Sequence, residues 1–267
     1  DITGETNRNI NDKTPEEKGV YGSLNDNLCT TKPECCNKFT DEQKDFRDLE
    51  RRAVVENKKD LLEIVQNIKP SHVDCVYVRQ AEALGLGHAI LCAEKLVADD
   101  PFAVILADDL LTGQPPVLKQ MVDVYQHYRC SVIGIEPIEK EQSRSYGVIA
   151  GKKWDDKLYK LSGIIEKPAP EDAPSNLGVV GRYVLSPNIF EHIRNLKPGA
   201  GGEYQLTDAL QNLLQKEQIL AYQYDGVRYD CGSKIGYLKA TVEFALNHQE
   251  VRDEFAKFLK EKNFTHQ

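Results

Sequence analysis

The chain has 267 residues and a formal charge of −8, with 40% apolar and 28% charged residues and a mean hydropathy of −0.50. This length fits one large domain or two small ones, taking about 150 residues per domain, and it allows a core that needs no disulfide framework or metal for stability. The acidic balance argues against a nucleic-acid partner, because a protein binds a polyanion through a basic face, but it leaves nucleotides open, since a few local groups and a metal can hold them.

Residues 1–48 are predicted to form an atypical, loop-like N-terminal segment. Within them, residues 1–39 contain six Asn, several Gly and Pro, and no hydrophobic period of 2 or 3.6. Regular structure is expected to begin at Thr40, which fits a capping box with Gln43 in front of a charged helix. A second amphipathic helix is expected around residues 61–68.

Strand and helix patterns alternate from residue 73 onwards. The hydrophobic pattern predicts strands at 73–78, 102–107 and 130–135, with helices at 87–98 and 116–128. Continuous apolar strands separated by helices of this length are typical of a mostly parallel, Rossmann-like sheet with helices on both faces. The predicted fold class is therefore α/β.

The pattern changes after residue 147. Three short strands joined by polar turns, at 147–151, 158–166 and 177–185, predict a β-rich insertion. Helices are predicted at 187–195 and 205–215, a strand pair at 219–229, and a terminal helix from Ser233.

The cysteine count and the hydropathy predict a cytoplasmic protein. Seven cysteines at irregular spacing in a chain of this length indicate reduced thiols, because a secreted disulfide scaffold would be shorter and would pair an even number. No uncharged apolar run approaches the roughly 18 residues of a membrane span, and no signal-peptide core is present. We therefore expect neither a membrane nor a nucleic acid as a partner.

Carboxylates follow two of the predicted strands. Asp108 comes directly after the strand at 102–107, and Asp230 precedes a Gly-containing turn. Ligands of open parallel sheets bind at the carboxyl ends of the strands, and one or two carboxylates with substrate phosphate oxygens usually hold Mg²⁺. Aspartate is also a good helix N-cap, so a metal ligand and a cap are both open interpretations at this point.

Three other segments carry residues suited to a nucleotide or a sugar phosphate. Gly85 allows close backbone approach to a flat ligand, and Gln80 has the donor and the acceptor needed to read a nucleobase edge. Lys167 suits a phosphate and Glu166 suits sugar hydroxyls, while Glu203 precedes a predicted helix. Each of these has an ordinary structural alternative: a turn into a helix, a surface ion pair or a helix cap.

Six segments carry a joint pattern: VRQAEALGLGHAILCAEKL (78–96), PFAVILADDLL (101–111), YGVIAG (146–151), IIEKPAPEDAPSNLGVVGRYVLSPNIF (164–190), PGAGGEYQLTDAL (198–210) and YDCGSKIGYLKATVEFALNH (229–248). Their order and spacing closely resemble the bacterial-type UTP–glucose-1-phosphate uridylyltransferases of the sugar-nucleotidyltransferase superfamily. The resemblance implies a nucleotide-diphospho-sugar transferase type of fold and a nucleotidyltransferase domain over 49–267. It also implies Mg²⁺-dependent, in-line attack of glucose 1-phosphate on the α-phosphorus of UTP, giving UDP-glucose and pyrophosphate for sugar nucleotide biosynthesis.

The resemblance also implies roles for individual residues. Asp108 and Asp230 match the Mg²⁺ carboxylates and Lys167 matches the lysine that holds the sugar phosphate, so these three are the predicted catalytic residues. Gln80 and Gly85 match the positions that read the uracil. The positions that match the sugar-binding residues are Gly147, Glu166, Val180, Gly181 and Glu203. Family members usually assemble, so a homodimer or homotetramer is expected.

One part of the family pattern is absent from this sequence. Members begin with a strand, a G-x-G-T-R-x-x-P loop and a Pro-Lys-Glu segment, and the sequence contains no G-T-R and no P-K-E. That loop surrounds the triphosphate with backbone N–H groups and a cationic side chain. We therefore expect an incomplete or atypical chain, with an intact sugar-phosphate and metal side and a damaged triphosphate side.

Two alternative functions follow from these observations. The absent loop favours an incomplete or non-catalytic chain that binds UDP-glucose or acts as a regulatory partner. The second alternative is the same chemistry with dTTP or another hexose 1-phosphate, because one methyl or hydroxyl group changes discrimination by only a few kcal/mol. The GVVGRY and YDCGSK segments favour uridylyl and glucose.

Overall fold

The computed structural model describes residues 75–262, together with Lys59, Leu62, Glu63 and Val73. The N-terminal segment predicted at 1–48, with its capping box at Thr40, lies outside the described residues. The domain boundary at residue 49 lies outside them as well, so both stay predictions.

The described chain contains seven helices and eight strands. The helices are α1 (Leu86–Cys92), α2 (Glu94–Val97), α3 (Val117–Tyr128), α4 (Ile189–Arg194), α5 (Leu206–Leu213), α6 (Lys234–Asn247) and α7 (Arg252–Lys262). The strands are β1 (Phe102–Ile105), β2 (Asp109–Thr112), β3 (Val132–Pro137), β4 (Gly147–Lys153), β5 (Leu158–Glu166), β6 (Leu177–Leu185), β7 (Leu220–Gln223) and β8 (Val227–Asp230). Two 3₁₀ turns lie at Lys140–Ser145 and Ala200–Gly202.

Six strands form the central sheet in the order β1-β6-β3-β7-β5-β4. β1, β3 and β7 run in the same direction, as expected for strands joined through helices, and the α/β class is confirmed. The pairing is more mixed than a mostly parallel sheet, because β6 runs antiparallel between β1 and β3. Among the described strands only β3 and β7 form a parallel pair. β4 pairs antiparallel with both β5 and β6, so β5 and β6 run in one direction and β1, β3, β4 and β7 run in the other.

Side chains that alternate along β3 enter two different hydrophobic clusters. Ile133 and Ile135 pack in the cluster that includes residues of α1, α4 and α5. Val132 packs with Met121 of α3 and Val184 of β6 in the second cluster. Because successive strand residues point to opposite faces, the two clusters lie on opposite sides of the sheet. The predicted cover of helices on both faces is confirmed.

The predicted β-rich insertion exists as three strands, but they belong to the central sheet. β5 and β6 have the predicted bounds of 158–166 and 177–185, and β4 begins at the predicted residue. Seven of the nine residues of β6 are buried, so both of its faces are covered. A strand that is apolar on both faces is stable between two neighbours rather than in an exposed flap.

Two strand predictions are wrong. Residues 75–80 have no regular secondary structure, and no described strand pairs with them, so the apolar pattern at 73–78 does not give a strand there. The strands near 219–229 both form but do not pair with each other: β7 joins β3 and β5, and β8 pairs with β2. The hydrophobic pattern does not predict the short strand β2 (Asp109–Thr112). Residues 109–112 form a strand because they pair with β8, which is distant in the sequence.

None of the helices in the described part of the chain combines the length and the apolar character of a membrane span. The cysteines in this part, Cys75, Cys92, Cys130 and Cys231, are free thiols. Burial raises the pKa of Cys92 and of Cys130, so both thiols stay protonated at neutral pH.

Candidate active site

The ribbon of β2 and β8 brings Asp108 and Asp230 to the same end of the molecule. The strands are antiparallel, with Asp109 opposite Asp230. Asp108 immediately precedes β2, and its carbonyl oxygen accepts a hydrogen bond of 2.7 Å from the N–H of Cys231. Two carboxylates that are far apart in the sequence are thereby fixed beside each other.

The two carboxylates converge on the space above Gly232. A Cβ at Gly232 would lie 2.9 Å from Oδ2 of Asp108 and 3.1 Å from Oδ1 of Asp230. Glycine leaves this space open between the oxygens. Within residues 75–262 no group of three or more His, Cys, Asp or Glu side chains forms a complete metal cluster. A pair of carboxylates suits Mg²⁺, which keeps several waters and substrate phosphate oxygens as its other ligands.

Neither carboxylate caps a helix, which was the alternative to metal binding. Asp108 leads into β2 rather than into a helix. The cap of α6 is Ser233, whose Oγ accepts a hydrogen bond of 3.0 Å from the N–H of Gly236. Asp230 stands before this cap, and its Oδ1 accepts a hydrogen bond of 3.1 Å from the N–H of Gly232. The capping interpretation is therefore wrong for both residues.

Asp109, next to Asp108 in the sequence, faces the interior and is 5% exposed. Its Oδ1 accepts a hydrogen bond of 2.6 Å from Nε of Arg228, and its Oδ2 accepts one of 2.5 Å from the N–H of Gly181. Burial raises the pKa of the Asp109 carboxyl, and the positive charge of Arg228 opposes that rise. The structure thus separates two adjacent aspartates into an outer and an inner one.

Arg228 is the centre of a polar group that we call the Arg228 network, formed by Asp109, Glu136, Tyr146, Tyr224 and Arg228. Nη1 of Arg228 donates to Oε1 of Glu136 at 2.9 Å and to the Tyr146 hydroxyl at 3.2 Å. The guanidinium also lies 4.8 Å from the centre of the Tyr146 ring. The Tyr224 hydroxyl donates to Oε2 of Glu136 at 2.9 Å. Sequence analysis missed this network, since its members lie in separate elements and share no spacing.

On the sugar side, the hairpin of β4 and β5 brings together Gly147, Glu166 and Lys167. Gly147 is paired with Glu166 in the strand register, and a Cβ at Gly147 would lie 3.4 Å from Oε2 of Glu166. Lys167 follows with a φ of 46°, and its N–H donates to the carbonyl oxygen of Tyr146 at 3.1 Å. Its Nζ lies 3.6 Å from Oε1 of Glu166, and the side chain is 58% exposed. An ammonium and a carboxylate thus stand side by side at the edge of the site.

The structure places Val180 and Gly181 differently from the other predicted sugar residues. The side chain of Val180 is buried in the core with Met121 and Val184, so only its backbone could reach a ligand. The N–H of Gly181 is used by Asp109, and its carbonyl oxygen accepts from the N–H of Leu106 at 2.9 Å. Their sugar contacts stay predictions.

The predicted nucleotide loop packs on the segment around Glu203. The N–H of Tyr204 donates to the carbonyl oxygen of Leu84 at 2.8 Å, and a Cβ at Gly85 would lie 2.9 Å from Cβ of Glu203. Gly85 has a φ of 89°, a conformation that glycine adopts without strain. Glycine at this position therefore serves the packing of the loop on Glu203.

Gln80 is 3% exposed. Its Nε2 donates to the carbonyl oxygen of Gly85 at 3.2 Å and lies 2.8 Å from Nδ1 of His88. Its Oε1 is buried without a hydrogen-bond partner in the described part of the structure. A buried amide oxygen without a partner is costly, so this atom is suited to accept a hydrogen bond from a ligand. Uracil recognition by Gln80 stays a prediction.

Comparison with known proteins gives a consistent set of relatives. Residues 46–246 match the family model described as nucleotidyl transferase. A UTP–glucose-1-phosphate uridylyltransferase of Bacillus subtilis (strain 168) is 41% identical over 214 residues, which is 80% of this chain and 73% of that protein. A protein of the same name from Pseudomonas aeruginosa (strain PAO1) is 51% identical over 168 residues, covering 62% of this chain and 60% of the relative.

Solved structures agree with these relatives. A UDP-glucose pyrophosphorylase in complex with UDP-glucose is 46% identical, with a TM-score of 0.67 over 72% of this chain and 74% of that one. A UTP-bound UGPase from Acinetobacter baumannii is 37% identical, with a TM-score of 0.72 over 80% of this chain and 75% of that one. These levels of similarity establish a common fold.

Proposed function

We propose that this chain, which belongs to the nucleotidyl transferase family, forms UDP-glucose and pyrophosphate from UTP and glucose 1-phosphate. Relatives that are 41% identical over 80% of the chain carry the name of this activity. The observation that carries the proposal is the convergence of Asp108 and Asp230 above Gly232.

The reaction exchanges one phosphoryl bond for another. A phosphate oxygen of glucose 1-phosphate bonds to the α-phosphorus of UTP, and the bond from that phosphorus to the oxygen bridging the α- and β-phosphates breaks. Pyrophosphate leaves with the electron pair of that bond. In such transfers the protein contributes positioning and charge stabilisation and needs no covalent intermediate.

Asp108 and Asp230 are the residues that would hold a divalent cation, for which we propose Mg²⁺. When bound, this cation supplies positive charge that offsets the charge developing on the phosphate oxygens. The buried Arg228 already neutralises the neighbouring Asp109, so the adjacent carboxylates differ in role.

The other predicted residues bind and orient the substrates. Lys167, exposed beside Glu166, holds the phosphate of glucose 1-phosphate as a point charge. Gln80 and Gly85 contact the uracil. The glucose hydroxyls are assigned to Gly147, Glu166, Val180, Gly181 and Glu203, where Val180 and Gly181 can contribute only backbone atoms.

Pyrophosphate release from UTP and glucose 1-phosphate, measured with and without Mg²⁺, tests the proposal. Asp108→Asn is expected to lower kcat by about 100-fold or more, because a metal ion stabilises the transition state by several kcal/mol and each 1.36 kcal/mol is a factor of ten. Asp123→Asn, at an exposed aspartate of α3, is the matched control and leaves the rate unchanged. An unchanged rate in Asp108→Asn would overturn the metal role.

The same assay separates the alternative functions. Faster turnover with dTTP than with UTP would change the assigned nucleotide, and saturable UDP-glucose binding without turnover in calorimetry would favour a binding or regulatory chain. A homodimer or homotetramer in the cytoplasm is part of the proposal. Analytical ultracentrifugation of the purified chain and fractionation of the source cells test these two points.

A further inference from the structure

Tyr146 connects the Arg228 network to the carboxylate of Asp230. Its hydroxyl lies 3.2 Å from Nη1 of Arg228 and 3.2 Å from Oδ2 of Asp230. Tyr146 directly precedes Gly147, so it stands between the carboxylate pair and the sugar side. The activity proposed above assigns it no role.

The chemistry of the two partners fixes the direction of both hydrogen bonds. A guanidinium has donors only, so the Tyr146 oxygen accepts from Arg228. The single hydrogen of the phenol is then left for Asp230, whose carboxylate only accepts. The N–H of Gly232 donates to the other oxygen of Asp230 at 3.1 Å. Each oxygen of Asp230 is therefore held by one donor and keeps a lone pair for a cation.

Arg228 is itself held on the side away from Tyr146. The side chain is 8% exposed and forms ion pairs of 2.6 Å with Asp109 and 2.9 Å with Glu136. The Tyr224 hydroxyl occupies the second oxygen of Glu136. Direct ion pairs with Asp109 and Glu136 give the guanidinium one orientation, and this orientation sets the position of the Tyr146 hydroxyl.

We propose that Tyr146, oriented by Arg228, is a positioning residue that fixes the Asp230 carboxylate for a divalent cation. The inference rests on the proposed function, in which Asp108 and Asp230 hold that cation. Residues that orient a metal ligand through a hydrogen bond typically change metal affinity or activity by about 10- to 100-fold when they are replaced.

Two phenols of the same network provide a matched test. Tyr146→Phe removes the hydroxyl that reaches Asp230, whereas Tyr224→Phe removes one that reaches only Glu136. Binding of Mn²⁺ alone to the full chain, measured by electron paramagnetic resonance, is expected to weaken about 10-fold or more in Tyr146→Phe. In Tyr224→Phe the Mn²⁺ affinity is expected to stay within about twofold of wild type, because the Tyr224 hydroxyl contacts Glu136 and does not orient the Asp230 carboxylate. The KM for glucose 1-phosphate is expected to stay unchanged in both variants.

Asp230→Asn distinguishes the failure of this inference from the failure of the proposed function. If wild type binds Mn²⁺, Asp230→Asn does not, and Tyr146→Phe binds like wild type, only the positioning role is overturned. Equal weakening in Tyr146→Phe and Tyr224→Phe also overturns it, because the effect would then be general to the network. If Asp230→Asn binds Mn²⁺ like wild type, or wild type binds none, the carboxylate pair is not the cation site and both proposals fall.

Discussion

The two sides of the candidate site are held in place by different means. On the metal side, Asp108 and Asp230 stand on a ribbon supported by the buried Arg228, which is 8% exposed. On the sugar side, Glu166 and Lys167 extend from the register of β4 and β5, and Lys167 is 58% exposed. The geometry of the metal side therefore depends on buried charges, and the geometry of the sugar side depends on backbone pairing between strands.

Substitutions on the two sides are therefore expected to affect stability and ligand binding differently. Removing one partner of a buried ion pair leaves an uncompensated charge in the interior, so replacing Arg228 or Asp109 is expected to affect folding and function together. An exposed side chain at the end of a strand has little influence on stability, so the sugar side can change its affinity for ligand alone.

Arg228→Met is expected to have the largest effect on folding. It leaves the buried carboxylate of Asp109 without its cation, which costs about 3–5 kcal/mol of unfolding free energy. Urea denaturation followed by circular dichroism measures this loss. Arg252→Met removes an exposed arginine beside Asp253 and is the control, with less than about 1 kcal/mol. Similar losses in both variants would contradict the contrast.

Lys167→Met is expected to act on binding alone. A charge-assisted hydrogen bond to phosphate contributes about 1.5–3 kcal/mol, so the KM for glucose 1-phosphate should rise about 10- to 100-fold. The urea midpoint should stay at the wild-type value because the side chain is exposed. Lys152→Met, on the neighbouring strand, is the control for a general change in charge. A lower urea midpoint with an unchanged KM would assign Lys167 a structural role.

Gly181→Ala tests the packing between β6 and the inner aspartate. The added Cβ would lie 2.6 Å from Cβ of Leu106 and 2.8 Å from Oδ2 of Asp109, so overpacking is expected to cost about 1–3 kcal/mol. Gly163→Ala provides the comparison, since its Cβ would meet nothing closer than 3.5 Å. Thermal unfolding of the two variants measures the difference, and equal midpoints would show that the strand moves to accept the methyl group.

Lys119→Met is expected to cause the smallest loss of unfolding free energy among these variants. Lys119 pairs with Asp123 on the exposed face of α3 at 2.5 Å, an i, i+4 arrangement worth about 0.3–0.5 kcal/mol. The loss should become smaller in 1 M NaCl, where the Debye length of about 3 Å weakens exposed ion pairs. A loss as large as that of Arg228→Met would mean that exposure does not separate the two kinds of ion pair.

Sequence patterns predict much of this architecture and part of the site. The bounds of β5 and β6 follow from local hydrophobicity, but the position of β6 between β1 and β3 depends on which edges it meets in the folded chain. Strand-end positions point to Asp108 and Asp230, but the ribbon of β2 and β8, and not the edge of one parallel sheet, brings the two carboxylates together. Arg228 carries no such signal, since its role depends on partners such as Asp109, 119 positions away.

The pairing of β2 with β8 has a consequence for folding kinetics. It joins strands whose residues lie 115 positions apart or more, and such long-range closure is slow because its loop entropy is lost before the contacts form. The hairpin of β4 and β5 closes over far fewer residues. In refolding experiments the hairpin should therefore gain protection from hydrogen exchange early, and the carboxylate pair should assemble late. Recovered cation binding would then report that β2 and β8, distant in the sequence, have paired.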